Sequence, residues 1–154
     1  MQITKLVVWM LICQIPALVG MGAVRGNMDW YHSLVLPVFV PPDWVFSAVW
    51  AILYVLLGVV GYLITKEGIT AENKPLLYLF IAQLFLNACW TPVFFGSQQV
   101  FLGLLVVSAM ILLAVWLMKK LWLPMRHAFW LMLPYTLWLC FAWCLNYAIL
   151  VLNA

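Results

Sequence analysis

Apolar residues fall into five long runs separated by short polar or proline-bearing connections. The runs cover residues 6–24, broken only by Gln14 and Pro16, then 44–65, 76–97, 100–118 and 128–152. At about 1.5 Å per residue, runs of this length reach across a hydrocarbon core of roughly 30 Å. The pattern predicts an all-α integral membrane protein, a single domain over residues 1–154 folded as a five-transmembrane-helix bundle. Pro16, Gly20 and Gly22 let the first helix bend and let neighbours approach it closely. That run is long for the apolar part of a cleaved leader and no good cleavage site follows it, so it is expected to stay. The polar stretch 66–75 makes a solvent turn, with Pro75 suited to the first turn of a helix. The connection 96–99 is so short that helices three and four should be antiparallel neighbours.

The linker 25–42 differs in character from these turns. It carries Trp30 and Tyr31, then Pro37, Pro41 and Pro42 ahead of Asp43. Proline fixes its own φ and pushes the preceding residue out of helical space, so the segment should be extended and stiff. Asp43 is expected to cap the second helix, its charge suiting the positive helix end. A rigid aromatic, proline-rich first loop laid over a bundle can form one wall and the lid of an apolar cavity.

Composition narrows the class further. Hydrophobic residues make up 69% of the chain and charged ones 7%, far outside the range of soluble domains. The basic residues sit at run ends: Lys5, Lys66, Lys74, Lys119, Lys120 and Arg126 on one side of a five-span topology, only Arg25 on the other. That bias predicts an inside N-terminus and an outside first loop, and it leaves no basic surface for nucleic acid. No Asp, Glu, Lys or Arg lies within a run, which argues against a proton-coupled pump or an ion channel. Paired carboxylates, a Ser-His-Asp set and a phosphate-cradling glycine loop are all missing, so conventional acid–base or nucleophilic catalysis has no support. Cys13, Cys89, Cys140 and Cys144 lie in apolar runs and are expected to be buried thiols, with no metal site. His32 and His127 lie in loops, and His32 is close enough to the lid to reach a ligand or its metal.

Helical spacing gathers the unusual residues into three stripes. Helix two offers Phe46, Trp50, Tyr54 and Leu57; helix three offers Gln83, Asn87, Trp90 and Phe94; helix five offers Pro134, Trp138, Phe141, Ala142 and Leu145. Converging, they would line a cavity for a large, flat, mostly apolar molecule. Tryptophan also crowds membrane interfaces, and Trp9, Trp44, Trp116, Trp122, Trp130 and Trp143 fit such a belt. Asn87 has two readings at membrane depth: a bond to another helix, or a polar group turned to a ligand. Gln14 and Asn146 read as hydrogen-bonding contacts between helices.

Several motifs together resemble the tryptophan-rich sensory protein family, which includes the mitochondrial translocator protein, the peripheral benzodiazepine receptor. They are Trp30-Tyr31, Pro37, Pro41-Pro42 with Trp44 and Phe46, Val49-Trp50, Leu53-Tyr54, Asn87 with Trp90, Phe94-Phe95-Gly96, Pro134-Tyr135 with Trp138, Phe141-Ala142 and Leu145-Asn146. The resemblance spans essentially the whole chain. It implies a homodimeric five-helix bundle in a bacterial cell membrane, with a cavity that binds tetrapyrroles such as protoporphyrin IX, isoquinoline-carboxamides such as PK11195, or benzodiazepines. The family's pocket positions fall on Tyr31, Trp50, Asn87, Trp90, Trp138 and Ala142, with Pro42 and Tyr54 nearby. It also implies light- and oxygen-dependent porphyrin breakdown, for which Trp50 and Trp138 would be the catalytic candidates, with no separate cofactor required. Leu36 stands where relatives often carry lysine, and Ser47-Ala48 where Gly-Pro is common. The C-terminal cholesterol motif of animal relatives needs a basic residue after its tyrosine, and Tyr147 has none after it, so a sterol is not the expected native ligand.

Three functional classes follow: a membrane receptor or sensor for tetrapyrroles with photo-oxidative turnover, a transporter of porphyrins or other lipophiles, and a lipid-binding scaffold.

Overall fold

The computed structural model describes residues 2–154. Five helical spans long and apolar enough to cross a membrane occur among them: Ile3–Gly26, Asp43–Thr65, Lys74–Gly96, Val100–Leu121 and Arg126–Leu152. Each lies within a few residues of a run in the sequence, because apolar length alone marks a span. The protein is an all-α integral membrane bundle.

The first span is two helices, α1 (Gln2–Ile12) and α2 (Ile15–Gly26). Pro16 has no N–H for the Ile12 carbonyl and its ring crowds that turn, so the ladder breaks. Around the break the Gln14 N–H donates to the Leu11 carbonyl at 3.1 Å, a tightened turn. The bend lets the halves dock differently: α1 packs on the second span, α4 (Asp43–Thr65), while α2 packs on the third, α5 (Lys74–Thr91). Close approach makes α1 fit. A Cβ on Gly61 would lie 2.6 Å from the Trp9 ring, so only glycine admits that indole. Trp9 then donates its ring N–H to Thr65 Oγ1 at 2.6 Å. Trp9, read as a belt residue, is therefore a packing anchor.

The linker is not wholly extended. Residues Met28–Ser33 form a short helix, α3, before Leu34 turns extended with φ −73° and ψ 151°. Asp43 is the first residue of α4 and caps nothing; Pro42 precedes the helix, and the Asp43 carboxylate meets His32 at 2.9 Å. Proline at the cap position leaves the carboxylate free to hold the loop instead.

A wide turn, Pro92–Gly96, continues α5 with the Ser97 N–H donating to the Pro92 carbonyl at 2.8 Å, five residues back. Helices α6 (Val100–Leu121) and α7 (Arg126–Leu152) complete the bundle and pack along each other. The core is tight away from the lid, where Leu57, Val60, Phe80, Ala114, Leu117, Met132 and Tyr135 are sealed. Trp44, Trp116, Trp122 and Trp130 face outward, as belt residues do. Trp143 does not: its ring N–H donates to Ser108 Oγ at 2.8 Å, tying α7 to α6. Cys13 is buried, whereas Cys140 and Cys144 are exposed on the outer surface of α7, where the lipid supplies their apolar surroundings.

Candidate ligand-binding site

Beneath the lid the bundle does not close, and a cavity of about 500 Å³ remains. That volume falls in the roughly 300–1,000 Å³ typical of small-molecule sites. Phe46, Trp50 and Tyr54 line it from α4, Trp90 from α5, Phe94 from the wide turn, and Trp138 and Ala142 from α7. Tyr31 lines it from α3. Each of the three stripes read from helical spacing thus contributes rings to one volume.

The rings brace one another. Trp50 stacks on Tyr54 with centroids 5.3 Å apart and planes at 25°, and Trp90 stacks on Phe94 at 5.3 Å and 18°. Phe46 meets Trp138 edge-on at 5.9 Å. The wide turn sets Phe94 and Phe95 against Tyr31, with centroids 6.5 and 5.4 Å away. Tyr31 is pushed up to about 12 by burial first and the Asp43 carboxylate second, so its phenol stays protonated and available as a donor.

Several of the sequence-derived site residues stand elsewhere. Asn87 is buried below the cavity and bonds other helices: the Tyr54 hydroxyl donates to its Oδ1 at 2.8 Å, and its Nδ2 donates to the Tyr135 oxygen at 3.2 Å. Gln83 Nε2 donates to the same oxygen at 2.7 Å. This chain spans α4, α5 and α7 and fixes the Tyr54 ring that supports Trp50. Phe141 buttresses Trp138 from behind, their centroids 5.1 Å apart. Pro42 is exposed at the start of α4. Pro134 is exposed as well, and the neighbouring Tyr135 takes the buried position that the helix-five stripe assigned to it.

One wall went unread in the sequence. Gln14, Pro16, Ala17, Gly20 and Val24 of the first span line the cavity, as do Val107 and Met110 of α6. Gln14 makes no side-chain bond to another helix among the described residues, so it is a wall residue rather than a contact between helices. Asn146 does bond across helices, its Nδ2 donating to the Val100 carbonyl at 2.9 Å. The indole N–H groups of Trp90 and Trp138 and the Asn146 Oδ1 are buried without hydrogen-bond partners among the described residues. No cluster of His, Cys, Asp or Glu suited to a metal occurs among the described residues, and His32, bonded to Asp43, does not itself line the cavity.

The lid is clamped at its far end by Asn153. The Val35 N–H donates to Asn153 Oδ1 at 2.9 Å, and Asn153 Nδ2 donates to the Val35 carbonyl at 3.0 Å. Two exposed bonds of this kind contribute roughly 1–1.5 kcal/mol together. Asn153→Ala is expected to raise amide hydrogen exchange across residues 34–40 by about tenfold while leaving α5 unchanged. Unchanged exchange in that segment would mean that the clamp holds nothing.

Comparison with known proteins accounts for this architecture. Residues 7–152 match the TspO/MBR family. The tryptophan-rich protein TspO of Archaeoglobus fulgidus is 33% identical over 150 residues, covering 94% of this chain and 97% of its own. The human translocator protein is 37% identical over 139 residues, covering 85% of this chain and 79% of its own. The tryptophan-rich sensory protein of Cereibacter sphaeroides is 33% identical over 153 residues, covering 94% and 92%. With a match across nearly its full length and relatives of this closeness, the chain belongs to the TspO/MBR family.

Proposed function

We propose that this protein is a membrane receptor for flat tetrapyrroles, protoporphyrin IX above all, held in the cavity beneath the lid. The observation that carries the reading is the convergence of Trp50, Trp90 and Trp138 on one apolar volume. Indole faces stack on an extended ring system, and the Tyr31 phenol supplies a donor near the mouth. Isoquinoline-carboxamide and benzodiazepine drugs suit the same lining, because they are flat and mostly apolar.

In this reading Trp50 and Trp138, both in the cavity lining, exchange an electron with the bound pigment. A bound porphyrin would supply the light absorption, and the protein would orient it and hold the oxidisable indoles against it. Titration of the purified protein with protoporphyrin IX in darkness should show saturable quenching at micromolar ligand. Illumination in air should then bleach the bound pigment to a defined product. Trp50→Phe and Trp138→Phe should retain binding within a few-fold and lose the bleaching. Binding without a product would leave a receptor and remove the photochemistry; no binding would remove both.

A further inference from the structure

Two charged side chains line the cavity, Arg25 in the last turn of α2 and Asp43 at the start of α4. They are not equivalent. The Asp43 carboxylate is engaged by His32 at 2.9 Å, whereas Arg25 has no ion pair or side-chain hydrogen bond among the described residues. Arg25 is also the sole Lys or Arg at the lid end of the spans, since Lys5, Lys66, Lys74, Lys119, Lys120 and Arg126 all lie at their opposite ends. An exposed arginine without a side-chain partner among the described residues therefore lines an apolar, ring-lined volume. Its planar fork of N–H donors matches a carboxylate in a two-point contact, which a lysine ammonium cannot reproduce.

We infer that Arg25 reads a carboxylate at the cavity mouth, making the ligand class of this site flat apolar acids held rings inward and acid outward. The inference deepens the reading of the same cavity. For a tetrapyrrole it assigns the acidic side chains to the mouth and the bare edge of the macrocycle to the floor formed by Val107, Met110 and Leu139. Asp43 reinforces the selection: with His32 already on one side of it, it disfavours an acid that drifts toward α4 and leaves Arg25 as the attractive charge.

The test compares each acid with its own ester, in a neutral maltoside detergent where no lipid phosphate competes for Arg25. Wild type, Arg25→Lys and Arg25→Gln are titrated by fluorescence with protoporphyrin IX and its dimethyl ester, and separately with 1-pyrenebutyric acid and its methyl ester. Arg25→Gln should weaken both acids by about three- to tenfold and leave both esters within twofold, with Arg25→Lys in between. Acid binding to the wild type should weaken as salt rises, and ester binding should not. Equal losses for acids and esters, or no loss for either acid, would overturn the inference. So would failure of all four probes to bind. If porphyrin is ignored but the pyrene pair behaves as stated, the tetrapyrrole reading falls and the role of Arg25 stands. If porphyrin binds and Arg25→Gln changes nothing, the reverse holds.

Discussion

Replacing Asn87 with leucine is expected to lower the unfolding free energy by about 2–3 kcal/mol, measured by reversible denaturation in mixed micelles. The side chains are similar in size, so the cost is not a cavity. It arises because the Tyr54 hydroxyl, which donates to Asn87 at 2.8 Å inside the bundle, is left with no acceptor. An orphaned buried polar group costs about 1–3 kcal/mol, whereas removing both partners together is nearly neutral. Bonds between membrane helices are often weaker, near 0.6 kcal/mol, because an unfolded helix finds other partners in the bilayer. Asn87 belongs at the upper end: it is 4% exposed and also donates to Tyr135, so one substitution strips two helices of a contact. The decisive comparison is Asn87→Leu with Tyr54→Phe. The double variant should be more stable than Asn87→Leu alone; simple additivity would show that the two groups are not coupled.

Trp50→Ala is expected to weaken protoporphyrin IX by about 30- to 150-fold in a dark quenching titration. Losing the indole removes roughly 2–3 kcal/mol of ring contact and apolar burial. It also unseats Tyr54, whose ring stacks on Trp50 at 5.3 Å and whose hydroxyl enters the buried chain below. Trp116→Ala, at a tryptophan 54% exposed on the outer face of α6, removes as much ring and should change affinity less than twofold. A Trp50→Ala protein that bound within threefold of wild type would take the ligand out of this cavity.

The sequence exposed the spans and the ring-bearing stripes for one physical reason: apolar length and helical repeat are local properties. What it hid depends on neighbours. Ala17, Gly20 and Val24 line the cavity but have no chemistry that distinguishes them from any other residue of an apolar helix. Trp9 and Trp143 looked like interface tryptophans because spacing cannot show that Thr65 and Ser108 wait across a helix gap for their N–H groups. Asn87 is costly at membrane depth on any reading, yet only the fold decides between ligand and helix, and it supplies two tyrosines from 33 and 48 residues away. Proline content suggested an extended linker, but Met28–Ser33 contains no proline and winds into helix, so the stiff part begins only at Leu34. Helical spacing puts Gln83 with the cavity rings, but it is fully buried and bonded to Tyr135 instead.

The π-type turn at Pro92–Gly96 fixes the angular phase of everything at the top of the third span. Ordinary winding advances about 100° per residue, so a chain one residue shorter there would swing the phenyl groups of Phe94 and Phe95 away from Tyr31 by more than a quarter of a revolution. The roof of the cavity is thus keyed to a local count of residues as much as to their identity.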